Sequence, residues 1–139
     1  MNARSVSLEQ MLAGLKESWN QHDMAHYASH FDLDAEYVNA IGMQWVGHPE
    51  IERGHTRMHQ AVFRNSRITA MKNRVRHLSP DLAFVVSEWE MVGAQPPEGW
   101  GMSEPRRGVL SLICSRSNGG WQIVFGQNTE IQPIQIPRE

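Results

Sequence analysis

Two histidines stand four residues apart in the stretch GHTRMH, His55 and His59. On a helix that spacing puts both on one side, which is how zinc-binding helices hold a metal. A zinc helix of the H-E-x-x-H kind carries its glutamate directly after the first histidine. Thr56 stands there instead, and no third ligand is indicated, so no metal site is expected. At about 100° per residue, His55 lies about 40° from Ile51, with Met58 and Val62 close by, in the middle of an apolar stripe. His59, about 80° away, lies at the margin of that stripe. A histidine on an apolar face has its charged form disfavoured and can act as acid, base or neutral donor. The competing reading is a core histidine hydrogen-bonded to backbone or carboxylate. His55 is the candidate for proton transfer, and His59 for contact with a ligand.

Other chemistry-bearing residues are weaker candidates. In AEYVNAIG the alternation of a strand puts Tyr37 and Asn39 on one side, where a phenol and an amide could orient a ligand oxygen. The alternative role for Asn39 is to satisfy turn backbone near Gly42. In FVVSEWEM, Ser87, Trp89 and Met91 share one face, and Phe84, Val86, Glu88 and Glu90 the other. Trp89 is expected inward as the wall of a flat ligand site. The two glutamates are expected outward, with Arg74, Arg76, Arg106 and Arg107 available to pair. Gln127 and Asn128 in GQNT point oppositely, so one of them reaches the interior. His26 and His30 fall opposite the Met24–Phe31 apolar stripe and read as solvent-facing. Cys114, the single cysteine, sits in VLSLIC and reads as a buried structural thiol.

These residues need a scaffold. The 139 residues are 40% apolar and 20% charged, which suits one globular domain over 1–139 with a real core. A net charge of −2 with no basic face argues against nucleic acid as a partner. No run approaches ~20 apolar residues and the N-terminus lacks a signal-peptide pattern, so no membrane partner and a cytoplasmic location are expected. Ser7 with Gln10 forms a capping box ahead of a helix carrying Leu8, Leu12, Leu15 and Trp19. Asp23 can cap a short second helix to about Phe31, and Pro49 opens a third to about Arg64. A turn at Ile41–Gly42 separates two short strands. Four long strand-like runs follow. Their junctions SPD and SNGG are tight turns, whereas AQPPEGWGMSEP is too long for one, and its Trp100 and Met102 could form a lid or subunit contact. The tail over 131–139 alternates but carries Pro133 and Pro137, and reads as an extended edge. The pattern is α+β: three N-terminal helices against one face of a curved antiparallel sheet.

The order of YVNAIG, then GHPEI followed by His55, then HLSPDLAFV with a later Trp, then GGWQIVFGQNT resembles the nuclear-transport-factor-2-like superfamily. Within it the chain resembles the SnoaL-like branch, closest to the SgcJ/EcaC group, over about residues 8–130. The resemblance implies a cone-shaped α+β barrel, its three helices packed in a strongly curved antiparallel or mixed sheet that leaves a deep pocket, commonly a homodimer through the outer sheet face. It implies a hydrophobic, partly oxygenated, polyketide-like ligand. The isomerases of the superfamily place an aspartate base where Asn39 stands here, and an amide cannot take a proton at neutral pH. The group also has a histidine at the position of His55, while at that of His59 it more often has a large apolar residue. Group members are called oxidoreductases, yet no G-x-G-x-x-G follows a strand here, so no cofactor is expected. Three functions stay open: a cofactor-independent cyclase, isomerase or dehydratase; a non-catalytic ligand-binding or sequestering module; and an oligomerisation domain.

Overall fold

The computed structural model describes residues 6–96, 104–132 and 137. The elements run α1 (Leu8–Asn20), α2 (Met24–Ala28), β1 (Phe31–Val38), β2 (Gln44–Val46), α3 (His48–His59), β3 (Arg67–Ser79), β4 (Leu82–Val92), β5 (Arg106–Ser117) and β6 (Gly120–Glu130). The six strands form one curved, open sheet in the order β2-β1-β6-β5-β4-β3. Only β1 and β6 run parallel; every other neighbouring pair is antiparallel.

Local chemistry sets the elements. The Ser7 hydroxyl accepts from the Gln10 N–H at 3.1 Å while the Gln10 side chain accepts from the Ser7 N–H at 2.9 Å, closing the capping box that starts α1. Leu8, Met11, Leu12, Leu15 and Trp19 are buried along one stripe. Asn20 then ties the end of α1 to the sheet: its carboxamide bonds both the N–H (2.7 Å) and the C=O (3.0 Å) of Ile68 on β3. The Asp23 carboxylate caps α2 through the His26 N–H. Helix α2 stops at Ala28, short of Phe31, because Phe31 already pairs with Ile123 on β6. Helix α3 ends at His59 rather than Arg64, and turns continue the chain into β3.

The helices cover one face of the sheet, α1 against β3 and β6 and α3 against β1 and β2. Strand parity follows: Ala83, Val85, Ser87, Trp89 and Met91 on β4 are buried, as are Leu110, Leu112 and Cys114 on β5. Burial raises the Cys114 thiol to about 12, so it is an inert core group. Trp100 and Met102 lie outside the described residues, as does most of the 131–139 tail.

Gly54 shows how tightly α3 is seated. A Cβ there would stand 2.3 Å from the Trp45 ring. Alanine is the better helix former by about 1 kcal/mol, yet Gly54→Ala should destabilise, by roughly 1–3 kcal/mol of overpacking. Gly119→Ala, where nothing lies within 4 Å, is the control. A urea midpoint raised by Gly54→Ala would mean that Trp45 does not pack on α3.

Candidate functional site

The two histidines of GHTRMH have different surroundings. His55 is 4% exposed. Its Nδ1 lies 2.9 Å from the Ile51 carbonyl, so that nitrogen carries the proton and Nε2 keeps the lone pair. The rings of Tyr27, Tyr37 and Trp45 stand 4.8, 5.0 and 5.0 Å away, and Trp19 closes the group. Burial disfavours the imidazolium and pulls the pKa to about 4, against a smaller opposing effect from the Ile51 carbonyl. His59 is 7% exposed and packs on the Trp19 ring at 4.3 Å. Its Nδ1 lies 2.9 Å from Nδ1 of His22, so one ring donates and the other accepts. Burial first, then His22 and His55, pull His59 to about 3. Among the described residues no group of three or more His, Cys, Asp or Glu side chains converges.

A cavity of about 240 Å³ opens at the C-terminal end of α3. Met58, Val62 and Phe63, on α3 and the turn after it, form one wall. Asn39, Ala40 and Ile41 form a second, and Trp89, Met91, Asn128 and Arg106 the third. Ile41 is 50% exposed, which puts the β1–β2 turn at the rim. Behind it a void of about 30 Å³, enough for one water, shares Trp89, Met91 and Asn128 with it and is also bordered by Tyr27 and Tyr37. Burial raises both phenols, and the neighbouring Tyr27 phenol raises Tyr37 further.

The structure thus brings Asn39, Trp89 and Asn128 together at the cavity and puts Tyr37 at the inner void. His55 and His59 are among the described residues lining neither. Gln127 is exposed, opposite Ser111 and Val38. Asn39 sits just past the end of β1, and its Oδ1 accepts from the N–H groups of Ile41 (3.1 Å) and Met43 (2.8 Å). It therefore holds the turn and borders the cavity at once. Asn128 accepts the Trp89 indole N–H at 2.8 Å.

Two local expectations, for His30 and Arg106, need correction. His30 is not solvent-facing: its Nδ1 lies 3.1 Å from the Tyr27 carbonyl and its ring covers Gly14, and burial lowers its pKa. His22, although exposed, reaches His59 because its backbone takes φ 57°, the left-handed region. Arg106 does not pair with the β4 glutamates. It is 5% exposed, and its Nε and Nη2 bond Glu130 of β6, with the guanidinium 5.3 Å over the Phe63 ring. Strand parity with Gly108, Leu110 and Leu112 was the signal for its inward position. Glu90 instead pairs outward with Arg107 at 3.4 Å.

No protein-family model matches the chain, and no curated protein matches it. Solved structures do. A cystatin-like-fold protein from Caulobacter vibrioides superposes with TM-score 0.82 at 24% identity, covering 91% of this chain and 88% of that one. An NTF2-like protein of unknown function from Shewanella oneidensis gives 0.66 at 18%, covering 88% and 95%. A ketosteroid isomerase-like protein from Erwinia carotovora atroseptica gives 0.67 at 19%, covering 91% and 95%. The fold is therefore NTF2-like, in its cystatin-like description. Among the described residues no helix is long and apolar enough to cross a membrane.

The buried histidines set a pH signature. His55 and His59 have folded pKa values depressed below the unfolded value of about 6.5. Between those values the unfolded chain binds protons that the folded chain refuses, so stability falls with falling pH. Loss should begin near pH 6.5 and continue to about pH 4 for His55. The urea midpoint should drop across this window, and His55→Phe should flatten the slope. Equal midpoints at about pH 7 and about pH 5 would show that these rings are not buried neutral.

Proposed function

We propose that this chain is a small-molecule pocket protein, a SnoaL-like domain from Leu8 to Glu130 closest to the SgcJ/EcaC group. In this reading the sheet closes as a cone around the helices. The site is the 240 Å³ cavity between α3, the β1–β2 turn and β4–β6. The carrying observation is its composition. Apolar walls surround three polar side chains, Asn39, Arg106 and Asn128, the pattern of a site for an apolar, oxygen-bearing molecule. Its volume lies near the lower end for such sites, roughly 300 Å³. Trp89 gives a flat ligand its wall.

Binding without turnover is the better-supported form. The described residues lining the cavity include no side chain that takes up a proton near neutral pH. The void also weighs against a pure assembly role, for which side chains would fill it. A homodimer through the outer sheet face belongs to the reading. Phe84, Ile113 and Phe125 stand in register there across β4, β5 and β6 as an apolar row.

Methyl naphthyl ketone should quench the tryptophan emission on titration. Met58→Trp should fill the cavity and weaken that binding at least about tenfold, a loss of roughly 1.4 kcal/mol, with thermal unfolding unchanged. No binding to the parent protein, or equal binding to the filled variant, would overturn the reading.

A second reading, a cofactor-independent isomerase or dehydratase, draws on one observation: Tyr37 borders the inner void and its ring stands 5.0 Å from His55. A proton could then pass through the phenol to the His55 lone pair. Against an apolar enone, His55→Ala should abolish double-bond migration while leaving affinity intact. Turnover surviving that change would remove His55 from any chemistry.

A further inference from the structure

The polar side chains of the cavity offer more donors than acceptors. Asn39 Oδ1 is taken by two backbone N–H groups, which leaves its NH₂. Asn128 Oδ1 accepts from Trp89 Nε1, and an indole nitrogen can only donate, so the amide orientation is fixed, its NH₂ remains and the oxygen keeps one lone pair. Arg106 spends Nε and Nη2 on Glu130, and its buried Nη1 has no partner among the described residues. No carboxylate, hydroxyl or imidazole side chain stands among the described residues that line the space. A ligand hydroxyl or ammonium would find one side-chain acceptor site, the second lone pair of Asn128 Oδ1, against donors on three residues, so its hydrogens pair less well than an acceptor's lone pairs, which is costly in an apolar site. One carbonyl oxygen accepts two hydrogen bonds, and the wall has donors on three residues, so two nearby carbonyl oxygens suit it better than one. Glu130 already neutralises the Arg106 charge, which favours a neutral carbonyl compound over a carboxylate.

We propose that the cavity selects apolar ligands whose polar end carries only acceptors, namely neutral ketone, quinone or ester oxygens, and that Asn128 and Arg106 set this specificity. The inference rests on the pocket reading above and adds the polarity of its ligand. Asn128 is polarised by Trp89, so its preference is built into the fold rather than chosen on binding. Arg106 contributes as a neutralised donor, held by Glu130 on one side and Phe63 on the other.

The test is a set of probes of one shape: methyl naphthyl ketone, the corresponding secondary alcohol, the corresponding amine, and naphthalene carboxylate, titrated by calorimetry. The ketone should bind about tenfold tighter than the alcohol, the cost of one unpaired hydroxyl, and the amine should bind weakest. Asn128→Asp keeps an acceptor for the Trp89 indole, so the ring stays in place, but it removes a donor. It should weaken the ketone about tenfold and improve the amine. The double variant Arg106→Met with Glu130→Met removes the donor without stranding a buried carboxylate, and should also weaken the ketone. If no probe binds, the pocket reading itself is lost. If ketone, alcohol and amine bind the parent within twofold of one another, or Asn128→Asp leaves their order unchanged, the pocket stands and the donor-wall inference is overturned. The carboxylate binding tightest would overturn the neutral-ligand assignment.

Discussion

The site depends on how the Trp89 indole is held. It lies against Gly108 on β5 so closely that a Cβ there would stand 2.0 Å from the ring. Its N–H points at Asn128 on β6. Three adjacent strands therefore cooperate: β4 supplies the ring, β5 removes a side chain to seat it, and β6 receives its hydrogen bond. The ring borders both the cavity and the inner void. Fixing one indole thus fixes the cavity floor and the orientation of the amide beside it.

A second aromatic, Trp19, performs the matching task on the helical side. Its indole N–H bonds the Ser66 hydroxyl at 3.1 Å, and its faces and edges meet Tyr27, His55, His59 and Phe63. Packing four ring systems on one indole joins α1, α2 and α3 ahead of β3. It also explains why both histidines are neutral. A charged imidazole among these rings would lose hydration without gaining a carboxylate partner. The contact between the two Nδ1 atoms of His22 and His59 has the same requirement, since it survives only while one ring accepts.

Much of this was legible in the chain because it follows from short-range rules. The capping box at Ser7, the Asp23 cap, the Pro49 helix start and the inward face of β4 all stand where local chemistry places them. The centring of His55 in a buried stripe was equally legible, since helical angle alone fixes it. What it faces was not: rings from four other elements fill that space. The choice between Gln127 and Asn128 depended on a bulge near Ile113, a property of the β5–β6 pairing. Arg106 was misassigned because charge suggested the surface, while parity pointed inward. Glu130, the partner that makes its burial tolerable, comes from another strand.

The cavity itself argues for use rather than accident. If a space of 240 Å³ were sealed and dry, leaving it empty would cost up to about 6 kcal/mol. Ile41 at the rim lets water enter and reduces that figure. Even so, a larger side chain at Met58 or Val62 would fill the space with apolar contacts at no visible cost to the fold. A buried Arg106–Glu130 pair is likewise a poor way to gain stability, since well-packed apolar residues in its place are often at least as stable. Cavity and pair share Arg106, and neither is an arrangement that stability by itself favours. Folding alone explains neither, whereas recognition of an oxygen-bearing molecule needs both the room and the donors.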